Sequence, residues 1–211
     1  MADNARMMKA AEMWCTPAFV FDEGAFERRM GAVRAIFGEG IDLCFAVKAN
    51  PFLIPAAARC ADRLEVCSPG ELQICKAEGI DPSLVLFSGV NKTAESVADA
   101  MEFGVYVLTA ESLRHLRLIE AEAARRDERA DVLLRLNAGS QFGMSRDDLL
   151  WAIDHRGDFP HIRIVGIHYF VGTQRMKLKH QVKELSMLAD LIDELQAEHG
   201  FTCERLEYGP G

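Results

Sequence analysis

Short apolar runs and amphipathic stretches alternate along almost the whole chain. Runs that begin near Ile41, Arg63, Leu84, Val105, Val132, Ile162 and Arg205 are short and rich in β-branched residues, which predicts buried strands. Between them, residues 54–60, 70–78, 94–103, 112–126, 147–154 and 180–199 carry apolar residues at helical spacing. The last of these places Val182, Leu185, Leu188, Leu191, Ile192 and Leu195 on one face. Upstream, residues 16–22 predict one more short strand, with Asp22 as N-cap of a helix that runs to about Phe37. Ser112 and Ser145 stand at two further helix starts.

Repeated strand–helix units imply a parallel sheet with right-handed crossovers. Two architectures satisfy that, a (β/α)8 barrel and an open doubly wound sheet. No GxGxxG follows an early strand, which counts against a dinucleotide-binding open sheet. The fold expected is therefore α/β, a (β/α)8 TIM-type barrel. Seven barrel strands can be counted, so the eighth is expected to be missing, leaving an open sheet edge. The expected division is an N-terminal strand and helix over residues 1–40 and an incomplete barrel over 41–211.

Composition narrows the function classes. The chain is 49% hydrophobic and 27% charged, ordinary for a protein with a packed core. Its formal charge of -8 opposes binding to nucleic acid or anionic membranes. No stretch has membrane-spanning length and the first residues lack the apolar run of a signal peptide, so a cytoplasmic location is expected. The six cysteines form no CxxC pair and no zinc-like spacing, so reduced thiols and no metal are expected.

The candidate chemistry falls at strand ends, where barrels of this kind carry their sites. Leu43-Cys44-Phe45-Ala46-Val47-Lys48-Ala49-Asn50-Pro51 closes the first barrel strand with a single lysine. An amine held against an apolar wall is more readily neutral, the form that imine chemistry needs. The structural alternative for Lys48 is a side chain reaching out to water. The second strand ends in Glu65-Val66-Cys67-Ser68-Pro69-Gly70-Glu71-Leu72, where helix capping accounts for Ser68 and Glu71. The third ends in Ser88-Gly89-Val90-Asn91-Lys92-Thr93, mostly turn and cap chemistry. Arg135 lies inside the apolar fifth strand and so requires an acceptor or anionic partner, in a site or in a structural ion pair. The sixth strand carries Gly166-Ile167-His168-Tyr169-Phe170-Val171-Gly172-Thr173-Gln174, and the seventh ends in Leu206-Glu207-Tyr208-Gly209-Pro210-Gly211.

Taken in this order, the segments resemble the fold-type III pyridoxal-phosphate decarboxylases, the family of the diaminopimelate, ornithine and arginine enzymes. The resemblance runs from Thr16 to Gly211 and implies an alanine racemase-like barrel without its last strand and without the family's C-terminal β-domain. It implies pyridoxal 5'-phosphate as cofactor and Lys48 as the residue forming the internal aldimine. Glu65, in place of the usual Asp, would be the acidic partner near the lysine, and Arg135 would lie by the cofactor. His168 keeps the first histidine of Gly-x-His-x-His-x-Gly-Ser. Phe170 replaces the second, so it can stack on the pyridine ring but cannot hold a proton. Thr173 suits a phosphate oxygen. Gly209 and Gly211 match two positions of a glycine nest, with Pro210 removing one N–H. The function implied is decarboxylation of a small amino acid, nearest to the diaminopimelate branch, by a homodimer in full-length form. An incomplete barrel fits a fragment of a longer enzyme, which is the favoured reading, half of a split enzyme, or a non-catalytic relative that binds pyridoxal phosphate or a partner. An amino-acid racemase and a single-barrel pyridoxal-phosphate binder are the other readings. Val47-Lys48-Ala49-Asn50 is shared with alanine racemases, but Pro51-Phe52-Leu53-Ile54 departs from them.

Overall fold

The computed structural model describes residues 4–14 and 17–211. Two helices come first, α1 (Asn4–Met13) and α2 (Glu23–Phe37), and strand–helix units follow. They run β1 (Cys44–Ala46), α3 (Ile54–Ala58), β2 (Arg63–Val66), α4 (Pro69–Ala77), β3 (Val85–Phe87), α5 (Ala94–Phe103) and β4 (Val107–Ala110). The rest are α6 (Leu113–Arg126), β5 (Ala130–Arg135), α7 (Arg146–Asp154), β6 (Ile162–Phe170), α8 (Leu178–His199) and β7 (Arg205–Gly209). All seven strands pair in parallel and in sequence order, so the sheet is the curled wall of a (β/α) barrel. Among the described residues β1 and β7 each have a single strand partner and form the two sheet edges.

Alternation along the strands sorts the side chains into two layers. Leu64, Val66, Val85, Phe87, Leu108, Ala110, Val132 and Leu134 are buried against apolar residues of the helices, among them Leu72, Val97, Leu116, Ile119, Leu149, Ile153, Leu188 and Leu195. Leu86, Val107, Leu133 and Val165 make a separate inner cluster with Tyr106. Below it, Arg63 and Arg205 stack on the Tyr106 ring, at 4.1 and 4.6 Å from its centroid. Asp131 accepts hydrogen bonds there from Arg163 and Arg205. The inner layer thus has a charged floor, an apolar middle and, towards the strand C-termini, the polar groups described below.

The helix starts follow the expected chemistry. Asp22 Oδ1 accepts from Ala25 N at 2.9 Å, and Ser68, Ser112 and Ser145 cap α4, α6 and α7 in the same way. Glu71 Oε2 accepts from Cys67 N at 2.7 Å, which is its capping role.

Two expectations need correction, and one helix was not foreseen. Residues 17–22 form no strand, and Thr16 lies outside the described residues. A β-prone run still needs a neighbouring strand to take its hydrogen bonds, and this one has none among the described residues; Phe19 is fully exposed. The first barrel strand is also shorter than residues 41–47. It ends at Ala46, and Val47–Ala49 turn into a 3₁₀ helix that places Lys48 beyond the strand. Finally, α1 has no counterpart in the sequence reading; it buries none of its residues, so no apolar stripe marks it.

Candidate active site

Val47 anchors the turn that carries Lys48, since it is fully buried in the core while its neighbour points out. The turn ends where Asn50 Oδ1 accepts from Phe52 N, and Pro51 starts the next turn. The Lys48 side chain is 41% exposed. Its surroundings are an acid and an aromatic ring, not the apolar wall expected: Nζ lies 3.9 Å from Glu65 Oε2 and 4.6 Å from the centroid of the Phe170 ring.

Register explains why distant residues meet here. Ala46 pairs with Glu65 across β1 and β2. Arg135, His168 and Glu207 are directly aligned across β5, β6 and β7. The curl of the sheet brings the two sets together, with Glu65 Oε1 3.9 Å from His168 Nε2. His168 is 3% exposed, and its Nδ1 has no hydrogen-bond partner. Burial, with the charges of Arg135, Lys48 and Lys92, pulls its pKa down to about 3, so the ring is neutral. Glu207 shows the opposite effect: burial and the nearby Glu65 charge push its pKa up to about 8. The Cys44 thiol of β1 contacts that carboxyl group.

A second buried group lies on the β3–β5 side. Arg135 Nη1 donates to Glu111 Oε1 at 2.9 Å, and both side chains are buried. The partner demanded by an interior arginine is therefore Glu111, at the end of β4. Its position is fixed in turn by its own N–H, which His115 Nδ1 accepts at 3.3 Å. Lys92 is almost fully buried, donates from Nζ to the Gly89 carbonyl at 2.9 Å, and is held by burial at a pKa of about 8. Ser88 and Thr109 share a buried hydroxyl–hydroxyl bond of 2.8 Å beside it.

The third group is the loop after β6 and the end of β7. Thr173 is exposed on that loop. A Cβ on Gly209 would stand 2.5 Å from Phe170 Cδ2, so glycine there is what lets the Phe170 ring lie flat against the backbone. Gly211 has φ +93° and packs on the Gly172 carbonyl, which joins the Thr173 loop to the Gly209–Gly211 end. Arg175 secures the junction by donating to Pro210 O at 3.4 Å and pairing with Glu184, whose carboxylate also accepts from Tyr208 OH at 2.8 Å.

The sequence-derived residues thus fall into linked groups: Lys48 with Glu65, His168 and Phe170; Phe170 with Gly209; Gly211 with the Thr173 loop. Arg135 is aligned with His168 but spends its guanidinium on Glu111. Sequence reasoning did not single out Glu111 or Glu207 as site residues. Glu207 left one readable sign, an acid two residues from Arg205 and Gly209 on the same face of a strand. Glu111 looked like an ordinary helix start.

Residues 23–211 match the family described as "Pyridoxal-dependent decarboxylase, pyridoxal binding domain". The chain belongs to that family. It is 31% identical over 221 residues to a diaminopimelate decarboxylase of Neisseria meningitidis, covering 96% of this chain and 54% of the relative. A diaminopimelate decarboxylase of Pseudomonas aeruginosa is 29% identical over 228 residues, covering 100% of this chain and 55% of the relative. A crystal structure of an Aquifex aeolicus protein superposes with a TM-score of 0.85 at 25% identity, covering 96% of this chain and 51% of the other. The chain spans about half the length of the curated relatives it matches. Family membership makes pyridoxal 5'-phosphate the cofactor of this domain.

Proposed function

We propose that this chain is the barrel portion of a pyridoxal-phosphate-dependent amino-acid decarboxylase of the diaminopimelate type, with Lys48 as the residue that carries the cofactor. The observation that carries this reading is the setting of Lys48: a partly exposed amine at the C-terminal end of the barrel strands, 3.9 Å from Glu65 and 4.6 Å from the centre of the Phe170 ring. An amine for the aldehyde, a flat face for a planar ring, and a glycine cradle that a Cβ would fill suit the cofactor's three parts.

Bound pyridoxal phosphate supplies the electron sink for loss of the substrate carboxylate. The protein's own residues have simpler tasks. Lys48 provides the amine, and Glu65 holds it in place through its charge. Phe170 offers an apolar face at the position where a histidine is common, so it stacks without moving a proton. His168, neutral and buried, and Arg135, neutralised by Glu111, line the inner side. Thr173, Gly209 and Gly211 would hold the phosphate, with one fewer N–H than three glycines would give because of Pro210.

The substrate proposed is a small amino acid of the diaminopimelate class, a reading supported by the names of the relatives. Five free cysteines among the described residues suit a reducing cytoplasm. Among the described residues no helix is long and apolar enough to cross a membrane. A homodimer in the full-length form is part of the same proposal. The test is release of labelled CO2 from carboxyl-labelled diaminopimelate in the presence of pyridoxal phosphate. Release that disappears in Lys48→Ala supports the reading. Cofactor binding without any release of CO2 from amino acids would favour the non-catalytic alternative.

A further inference from the structure

We propose that Lys92 is a positioning residue for Arg135. By sharing Glu111 it keeps the guanidinium paired on one prong only, so that the remaining N–H groups can hold an anionic oxygen of the bound cofactor. The three residues stand at the ends of adjacent strands: Lys92 on the turn after β3, Glu111 just past β4, and Arg135 as the last residue of β5. One carboxylate thus lies between two cations, and all three side chains are buried.

The pairing is half-used. Arginine and carboxylate frequently meet through two parallel hydrogen bonds. Here Nη1 of Arg135 donates to Glu111 Oε1 at 2.9 Å, the guanidinium's only hydrogen bond among the described residues. Glu111 Oε2 is buried with no hydrogen-bond partner, although buried polar atoms are nearly always partnered. A second positive charge makes this one-pronged arrangement tolerable. Lys92 gives one of its three donors to the Gly89 carbonyl and none to a carboxylate among the described residues. Burial lowers its pKa to about 8 against the opposing pull of Glu111, then of Cys67 and Glu65, so it is a cation at pH 7. It is also fixed in place. A Cβ on Gly89 would stand 2.1 Å from the Cys67 carbonyl, so the turn that anchors Lys92 is seated just past the end of β2. The Arg135 side chain keeps 9% exposure and lies 5.4 Å from the Phe142 ring, on the loop after β5.

Without the Lys92 charge, Oε2 has only Arg135 to turn to. The pair then closes into its two-pronged form and withdraws the guanidinium from the pocket. The consequence for the cofactor rests on the reading that this pocket holds pyridoxal phosphate, whereas the change in pairing does not.

The experiment is Lys92→Met, which removes the charge and keeps most of the side-chain volume. Cofactor binding is read by equilibrium dialysis against pyridoxal phosphate. Solvent exchange of the Arg135 guanidinium protons is read by heteronuclear NMR on the chain without cofactor. Lys92→Met is expected to bind pyridoxal phosphate about tenfold more weakly, the worth of one charged hydrogen bond, and to slow the exchange. In the Arg135→Met, Glu111→Leu background, where neither mediator is left, adding Lys92→Met causes no further loss. Circular dichroism verifies folding, and Lys92→Gln replaces any Lys92→Met chain that does not fold. The same loss in both backgrounds would mark a merely structural role and overturn the proposal. Unchanged binding or unchanged exchange in the single variant overturns it too. A parent chain that takes up no pyridoxal phosphate sinks the cofactor reading instead, and slowed exchange then still upholds Lys92 as the residue that keeps Arg135 one-pronged.

Discussion

Lys48 Nζ stands 4.6 Å from the centroid of the Phe170 ring, a cation–π contact between the end of the first barrel strand and the end of the sixth. Phe170 is in turn seated against Gly209. A side chain that only stacks should be replaceable by another flat ring. Phe170→Ala is predicted to weaken pyridoxal phosphate binding by about 1 kcal/mol, the worth of one aromatic contact, while Phe170→His stays near the parent value. Gly209→Ala, whose Cβ would displace the ring, should lose a similar amount. Equilibrium dialysis against the cofactor checks all three, and unchanged binding by Phe170→Ala would remove Phe170 from the site.

Glu111 exists in this fold to neutralise Arg135. Glu111→Ala leaves a guanidinium buried without its counter-charge, which is predicted to destabilise the chain by about 3–5 kcal/mol. Replacing both partners, Arg135→Met with Glu111→Leu, should recover most of that. Urea denaturation of the single and double variants gives the answer; a single variant as stable as the parent would mean that Arg135 has another anion.

Two groups make stability depend on pH in opposite senses. His168 has its pKa lowered from 6.5 to about 3, so between those values the unfolded chain binds a proton that the folded chain does not. Its contribution is present above pH 6.5 and is lost as pH falls towards 3. Glu207 has its pKa raised from 4.5 to about 8, so the folded chain keeps a proton that the unfolded chain releases. Stability therefore falls as pH rises from 4.5 to 8. Glu207→Gln is predicted to abolish the decline above pH 6.5 while leaving the acid limb. Urea midpoints measured from pH 4 to 9 decide it, and an unchanged alkaline decline in the variant would assign that limb to another group.

Much of this was legible in the sequence because strand and helix patterns are local. The seven barrel strands and the helices between them lie close to where periodicity placed them, and the caps at Asp22, Ser68, Ser112 and Ser145 form as their residue types require. Lys48, Glu65, His168 and Phe170, each singled out from the sequence, lie near one another in the structure. What could not be read was pairing across the sheet. Glu207 meets Glu65 and His168 only because of strand register and curl, and Glu111 meets Arg135 through the ends of β4 and β5. Residues 17–22 misled for the converse reason, since strand propensity says nothing about whether a partner strand exists.

The central claim is that Lys48 carries the cofactor. The most direct measurement is peptide mass spectrometry after adding pyridoxal 5'-phosphate and reducing with borohydride, on the parent chain and on Lys48→Ala. The account predicts one pyridoxyl group on the peptide containing Lys48, and none on the folded Lys48→Ala variant. A pyridoxyl group on another lysine, or one retained when Lys48 is replaced, would contradict it.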